Sequence, residues 1–307
     1  MALTLRQLEI FRAIALRGST TAAAQSVPLS QSATSAALNE LESTLAVRLF
    51  DRVGKRLLLN DNGRVLLPAA LALLDGARTA AAAFAPQRAV AGDLRLFAST
   101  TVGNYLLPRL LARFYDPQAG TQMQLRIGNT QEVVDAVHDF ETDLGLIEGP
   151  CHAPAIRVIP WLEDELVIVA APTHDLAKAA MRRRLTAAQL GRALWLMREP
   201  GSGTRESVEQ ALLARFLSFP ATMTLGSSEA IKNAVAEGLG VSYLSRYVID
   251  DLVAAKRLQI LGTQLPKLTR RLTIIHHEKK ILSDSLRRFI AHCEVKNESV
   301  GRGLDSP

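Results

Sequence analysis

Cysteine is scarce in this chain. Cys151 and Cys293 are the only two in 307 residues, and their spacing fits no metal-ligand or dithiol motif. A disulfide framework is excluded, and each thiol reads either as a packing residue or as a sensor thiol. Long apolar runs are missing as well. No stretch approaches 18 uninterrupted apolar residues, which argues against a membrane-spanning helix. The first residues show no basic segment leading into an apolar run and a cleavage site. A cytoplasmic chain with no membrane partner is therefore expected. Catalytic arrangements are equally sparse. No Ser-His-Asp or Cys-His order comes with a supporting motif. Gly201-Ser202-Gly203-Thr204 lacks the Gly-Lys-Ser/Thr ending of a P-loop. His276-His277-Glu278 invites a metal reading, but adjacent histidines on a strand point to opposite faces. His138 and His152 have no spaced partners. No enzyme activity, metal or cofactor is expected.

What is present is an ordinary globular composition, 48% hydrophobic and 21% charged, in a length that suggests on the order of two or three domains. The net charge of +6 is unevenly spread. Residues 1–90 hold ten Lys or Arg against six acids, a net +4 in less than a third of the chain. That bias suits phosphate contacts.

Leu5, Leu8, Ile10, Phe11, Ile14 and Leu16 follow a helical period from Thr4, a plausible cap, to Arg17, with Gly18 as a stop. A second helix is predicted over Thr20 to Ser26, where Ala22 to Ala24 allow close backbone approach. Pro28 places the turn. Ser30 then caps a helix to about Leu45, with Ala33, Ala37, Leu41 and Leu45 facing the core and Leu38 beside them. This is helix-turn-helix spacing. Ser30, Gln31, Ser32, Thr34 and Ser35 are the candidate DNA contacts, because Gln, Ser and Thr can bond base edges or phosphates. The plainer reading is a well-capped surface helix. Leu49-Phe50 follows as an apolar anchor, then a charged turn from Asp51 to Arg56 and a strand from Leu57 to Asn60. These form the wing of a winged helix-turn-helix, with Arg52, Lys55 and Arg56 over the DNA backbone. From Gly63 to about Phe84, an Ala- and Leu-rich helix about 30 Å long is too apolar to stand alone. It is expected to pack against a second copy in a dimer. Pro86 to Gly92 reads as a hinge.

These residues resemble the LysR-type transcriptional regulators. The likeness lies in Leu8-Glu9-Ile10-Phe11, Ala22-Ala23-Ala24, Leu29-Ser30-Gln31-Ser32-Ala33-Thr34-Ser35, Leu41-Glu42, Leu49-Phe50-Asp51-Arg52 and Gly63, and continues to about Cys293. Val27-Pro28 departs from the commoner leucine followed by a polar residue, and should stiffen the turn. The second half is most similar to the Calvin-cycle (carbon-fixation) and sulfur- or sulfite-responsive branch. The phrases carrying this are Ala98 to Pro108, Glu132-Val133, Asp143 to Gly149 and Arg198 to Arg205. The resemblance implies a two-lobed effector domain similar to periplasmic solute-binding proteins, with a ligand between the lobes. It also implies promoter DNA as partner, RNA polymerase as a possible one, and a homodimer or homotetramer.

The residues of the second half support an α/β reading on their own. Strand-like runs at 94–98, 122–127, 144–147, 166–170, 193–197, 222–225, 241–244 and 272–275 alternate with helical segments, which predicts a parallel, doubly covered sheet. Four strand-to-helix junctions carry short polar residues: Ser99-Thr100-Thr101, Asn129-Thr130, Gly201 to Arg205 and Gly226-Ser227-Ser228. Ser99, Thr100, Thr101, Asn129, Thr130, Ser202, Gly203, Thr204, Arg205, Ser227 and Ser228 are thus the candidate effector contacts. Free helix N-terminal amides and hydroxyls, with the fork of Arg205, suit a small anion: sulfate- or sulfite-like, a phosphorylated metabolite or a carboxylate. Each of these residues is also an ordinary cap. Glu148, at a strand end, could bind an amine, pair with Arg205, or simply be solvated.

The expected layout is a winged helix-turn-helix at 1–60 and a linker and dimerisation helix with its hinge at 61–90. An effector domain at 91–300 (lobe I 91–161 and 266–300, lobe II 162–265) and a disordered tail at 301–307 complete it. The expected function is sequence-specific DNA-binding regulation under a small effector. A solute-binding receptor or an enzyme built on the α/β half are the alternatives; the first leaves residues 1–60 unexplained, and the missing catalytic constellation argues against the second.

Overall fold

The computed structural model describes residues 3–54, 56–83, 94–116, 123–215 and 221–295. It divides into two units, Met1–Ala89 with Lys279–Ile281, and Val90–Glu278 with Leu282–Pro307. The predicted hinge at Pro86 to Gly92, the tail at 301–307 and the wing residue Lys55 lie outside the described residues.

In the first unit, α1 (Leu5–Arg17) starts in a capping box between Thr4 and Gln7 and stops at Gly18, whose φ of 70° is left-handed. Ser19 caps α2 (Thr20–Ser26), and Ser30 Oγ accepts from Ala33 N at the start of α3 (Gln31–Leu45). The close crossing expected at the alanines holds, with Ala23 fully buried. Leu8, Phe11, Ile14, Leu38, Leu41, Leu49 and Phe50 form the core. Each such side chain contributes on the order of 1.5–3 kcal/mol by its burial. Strands β1 (Phe50–Val53) and β2 (Arg56–Leu59) pair antiparallel, Phe50 opposite Leu59. The sequence pattern places all of Asp51 to Arg56 in the turn; cross-strand pairing instead draws Asp51 to Val53 and Arg56 into the ladder and leaves the bend at Gly54, φ 62°. Leu57 N donates to Gly18 O at 2.8 Å, which fixes the hairpin to the end of α1. Helix α4 (Asp61–Ala83) follows. Gly63 is obligatory near its start, since a Cβ there would lie 2.2 Å from Leu49 O.

The second unit begins with β3 (Leu94–Ser99), a π-turn (Val102–Leu106) leading into α5 (Leu107–Phe114), β4 (Met123–Gly128), α6 (Thr130–His138) and β5 (Leu144–Glu148). Strand β6 (Ile156–Ala170) leads to α7 (Asp175–Ala180), α8 (Ala187–Leu190), β7 (Trp195–Met197), α9 (Gly203–Leu213) and β8 (Thr222–Thr224). Then come α10 (Ser228–Ala236), β9 (Ser242–Ser245), α11 (Arg246–Ala254), β10 (Gln259–Ile260), β11 (Leu268–His277) and α12 (Asp284–Val295). Strands β4, β3 and β5 are parallel, and so are β7 and β8. β11, β6, β9 and β10 join antiparallel, giving the order β10-β6-β11-β5-β3-β4 with β9 also on β6. The expectation of a parallel sheet is thus corrected to a mixed one. The cause is the pair of long strands β6 and β11, which run through both lobes. The polar stretch of β6 around Pro160 and Glu163 to Glu165 carries no strand-like apolar run, because Pro160 and Glu163 are exposed and Asp164 is buried only through its polar partners. A register shift beside Trp161 accommodates the crossing, and the Trp161 indole N–H donates to Cys293 O at 3.0 Å.

Among the described residues the second unit holds four apolar clusters, of which the two largest mark the two lobes. One packs Leu96, Val102, Leu107, Leu146, Ile274 and Phe289; the other packs Ile168, Trp195, Val208, Leu212 and Tyr243.

Candidate functional site

The first candidate surface is the start of α3 with the hairpin. Gln31 and Ser32 are exposed, and Ser30 is exposed as the cap. Gln31 Nε2 donates to Thr20 Oγ1 and Ser35 Oγ, both at 3.3 Å, which ties α3 to α2. Ser35 is half-buried. Thr34 corrects the sequence reading: it is fully buried, and its hydroxyl donates to Ser30 O at 3.0 Å. The buried residues of α3 are Thr34, Leu38, Leu41 and Glu42; Ala37 and Leu45 pack against the same core, as the sequence pattern expects, and Ala33 is half-buried. Glu42 is buried because it accepts from Leu49 N at 2.8 Å and from Arg48 at 2.6 Å, clamping the helix to the hairpin. Arg52 and Arg56 are exposed, and among the described residues no ion pair or side-chain hydrogen bond engages them. Such guanidinium groups are available to phosphates.

The second candidate lies between the lobes, where the four polar junctions converge in a closed arrangement. Arg198, at the end of β7, is 2% exposed. Its Nη1 donates to Thr100 Oγ1 at 2.6 Å and to Ser228 Oγ at 2.9 Å, joining a hydroxyl from each lobe. Its other edge makes a bidentate pair with Glu199, both contacts 2.7 Å. The second cluster surrounds Glu148. Its carboxylate accepts from Ser99 Oγ at 2.8 Å and Thr204 Oγ1 at 3.2 Å, and its carbonyl accepts from Thr130 Oγ1 at 3.0 Å. Gly203 N donates to Thr130 Oγ1 at 3.1 Å, and a Cβ on Gly203 would lie 1.8 Å from Glu148 O. Only glycine allows that approach.

Arg270 of β11 completes this cluster. It donates to Thr204 Oγ1 at 2.7 Å, to Thr101 Oγ1 at 3.3 Å and to Asp164 Oδ2 at 2.8 Å, with Glu148 at 4.0 Å. Asp164 also accepts from Ser245 at 2.7 Å. Burial pushes the Asp164 carboxyl above its ordinary range against the opposing pull of Arg270. Sequence reasoning misses Arg198, Arg270, Asp164 and Ser245. A lone Arg or Asp in a strand-like run carries no spacing signal, and exposure is its default expectation.

The remaining candidates take other places. Asn129 and Ser227 are helix caps, accepting from Glu132 N and Ala230 N. Ser202 caps α9 and is buried. Arg205 meets neither the hydroxyls nor the carboxylate of the two clusters, and touches the first only at the Arg198 carbonyl. Its guanidinium bonds Glu209 at 2.6 Å and Arg198 O at 2.8 Å, because a helical i,i+4 partner lies nearer than the cleft. Arg205 instead lines a cavity of about 640 Å³ with Gln131, Cys151, His152, Glu206 and Glu209. Of the readings open for Glu148, neither the pair with Arg205 nor a solvated acid is found: it is buried, with Ser99, Thr204 and Arg270 around its carboxylate.

Comparison with known proteins follows the same division. Residues 5–64 match the family described as bacterial regulatory helix-turn-helix protein, lysR family, and residues 87–296 match the LysR substrate binding domain. The chain is 50% identical over 297 residues to the uncharacterized HTH-type transcriptional regulator YeiE of Escherichia coli (strain K12), covering 97% of this chain and 99% of that one. It is 31% identical to the RuBisCO operon transcriptional regulator of Allochromatium vinosum, covering 94% and 95%. This likeness agrees with the carbon-fixation branch expected from the sequence. Among solved structures, full-length OxyR of Pseudomonas aeruginosa superposes with a TM-score of 0.72 at 22% identity over 100% of both chains. The regulatory domain of CcmR from Synechocystis PCC6803, in complex with 2-PG, does so with a TM-score of 0.62 at 29% identity, covering 67% of this chain and 98% of that one.

Proposed function

The chain belongs to the LysR family of DNA-binding transcriptional regulators, and from that premise we propose that a small oxyanion bound between the lobes sets its activity on promoter DNA. The observation that carries the effector class is Arg198. A buried guanidinium bonded to two hydroxyls at strand-to-helix junctions is a built receptor for oxygen acceptors. The effector binds by displacing the direct bonds of Arg198 Nη1 to Thr100 and Ser228, taking that donor and both hydroxyls, while the lobes meet beside it through Thr130, Gly203, Thr204 and Glu148. Sulfate- or sulfite-like ions, phosphorylated metabolites and carboxylates share the required chemistry. The CcmR regulatory domain, at 29% identity, holds a small ligand, 2-PG.

In this reading, residues 1–60 are the DNA-binding head and 61–90 the linker and dimerisation helix. Residues 91–161 with 266–300 form lobe I, and 162–265 lobe II. Gln31 and Ser32 read bases, with Ser30 and Ser35 beside them, while Arg52, Lys55 and Arg56 hold phosphates. The protein works as a cytoplasmic homodimer or homotetramer. Effector binding shifts the population of lobe arrangements, and with it DNA affinity, bend and polymerase recruitment.

A thermal-shift series with sulfate, sulfite, thiosulfate, phosphorylated sugars and carboxylates tests the effector class. At least one anion is expected to raise the melting temperature and to alter DNA affinity or footprint. Stabilisation by ammonium-bearing ligands alone would contradict it and assign recognition to Glu148.

A further inference from the structure

The second unit carries a basic patch that the effector reading does not use. Residues 171–193 hold five basic side chains, Lys178, Arg182, Arg183, Arg184 and Arg192, against one acid, Asp175. That is a net +4, whereas residues 91–307 together hold 26 basic and 24 acidic residues. The charge is therefore concentrated in an otherwise balanced domain.

Arg182, Arg183 and Arg184 follow α7 in a turn, and all three are exposed, beside Met181 at 78% exposure. Lys178 is paired with Asp175 at 3.3 Å. Among the described residues, no ion pair or side-chain hydrogen bond holds Arg182, Arg183, Arg184 or Arg192. The backbone beneath them is fixed at both ends. Arg182 N and Arg183 N donate to Ala179 O, and Leu185 N donates to Gly262 O at 2.9 Å. Three adjacent guanidinium groups on an anchored turn, with no neutralising acid, form a concentrated positive field matched to closely spaced phosphates.

We propose that Arg182, Arg183 and Arg184 form a second nucleic-acid contact, holding the phosphate backbone of duplex DNA without reading its sequence. The proposal rests on the DNA-binding assignment of residues 5–64 and adds a contact outside it. Phosphate is favoured because three free arginines in succession offer bidentate donors at a spacing a polyanion can follow.

The test measures affinity of the full-length protein for a long duplex of random sequence over a range of salt concentrations. Replacing all three arginines with alanine is expected to flatten the slope of log affinity against log salt by about 0.9 for each phosphate that the variant leaves unneutralised. The triple lysine variant should keep the wild-type slope, because charge governs counterion release. Unchanged melting temperatures are expected for both. An unchanged slope in the alanine variant overturns the proposal; loss of polymerase-dependent transcription with that unchanged slope would assign the patch to an acidic protein surface. Failure of Arg52→Ala to weaken binding would count against the hairpin assignment alone.

Discussion

Arg198 Nη1 lies 2.6 Å from Thr100 Oγ1, and this one hydrogen bond joins the end of β7 in one lobe to the end of β3 in the other. Both groups are positioned by strand ends, and the guanidinium is held rigid by Glu199. Thr100→Val should weaken binding of the stabilising anion by about 10- to 100-fold, the worth of a hydrogen bond to a charged group. Calorimetric titration checks this. Arg205→Ala should cost less than Arg198→Gln, since Arg205 touches the site only through the Arg198 carbonyl.

Gly203 permits the lobes to touch, because any Cβ there meets the Glu148 carbonyl. Gly203→Ala should hold the lobes apart, lowering anion affinity by at least tenfold while leaving the fold of each lobe intact. Small-angle scattering with and without ligand reads this as an absence of ligand-induced compaction.

In the DNA-binding unit, Gln31→Ala should change the sequences recovered from a random duplex library. Arg52→Ala should weaken binding to all sequences similarly. Thr34→Ala should behave differently from both. It removes a buried hydroxyl bonded to Ser30 O and should cost about 1–2 kcal/mol of stability without altering sequence preference. Denaturant unfolding and library selection together separate these effects.

Burial raises the Asp164 carboxyl above its ordinary value of 3.8. The folded state therefore holds that proton to higher pH than the unfolded state does. The resulting stability is present below 3.8 and is lost as pH rises through the folded-state value. Asp164→Asn, which keeps an acceptor for Arg270, should flatten stability against pH above 3.8, as measured by urea midpoints. Burial likewise pushes the Cys293 thiol up to about 12, while Cys151 is half-buried. Iodoacetamide at mildly alkaline pH should label Cys151 and spare Cys293, read by mass spectrometry.

Much of this is legible in the sequence for physical reasons. The first three helices announce themselves through Thr4, Gly18, Ser30 and Pro28, residues whose caps and backbone limits act locally. The core face of α3 is legible from Leu38, Leu41 and Leu45, but the burial of Thr34 and Glu42 beside it is not, because both side chains look polar. The junction hydroxyls are visible because caps recur at strand ends. Arg198 and Arg270 are not, since their burial depends on partners 98 and 106 residues away, Thr100 and Asp164. Long-range pairing also hides the antiparallel course of β6 and β11.

The most direct measurement is DNA affinity and footprint of the full-length protein as the stabilising anion is titrated, for wild type and for Arg198→Gln. The wild type should shift with half-saturation at the anion's own dissociation constant, and the variant should bind DNA normally without responding. An equal shift in both, or a wild type whose affinity, footprint and bend all ignore every bound anion, would contradict the account.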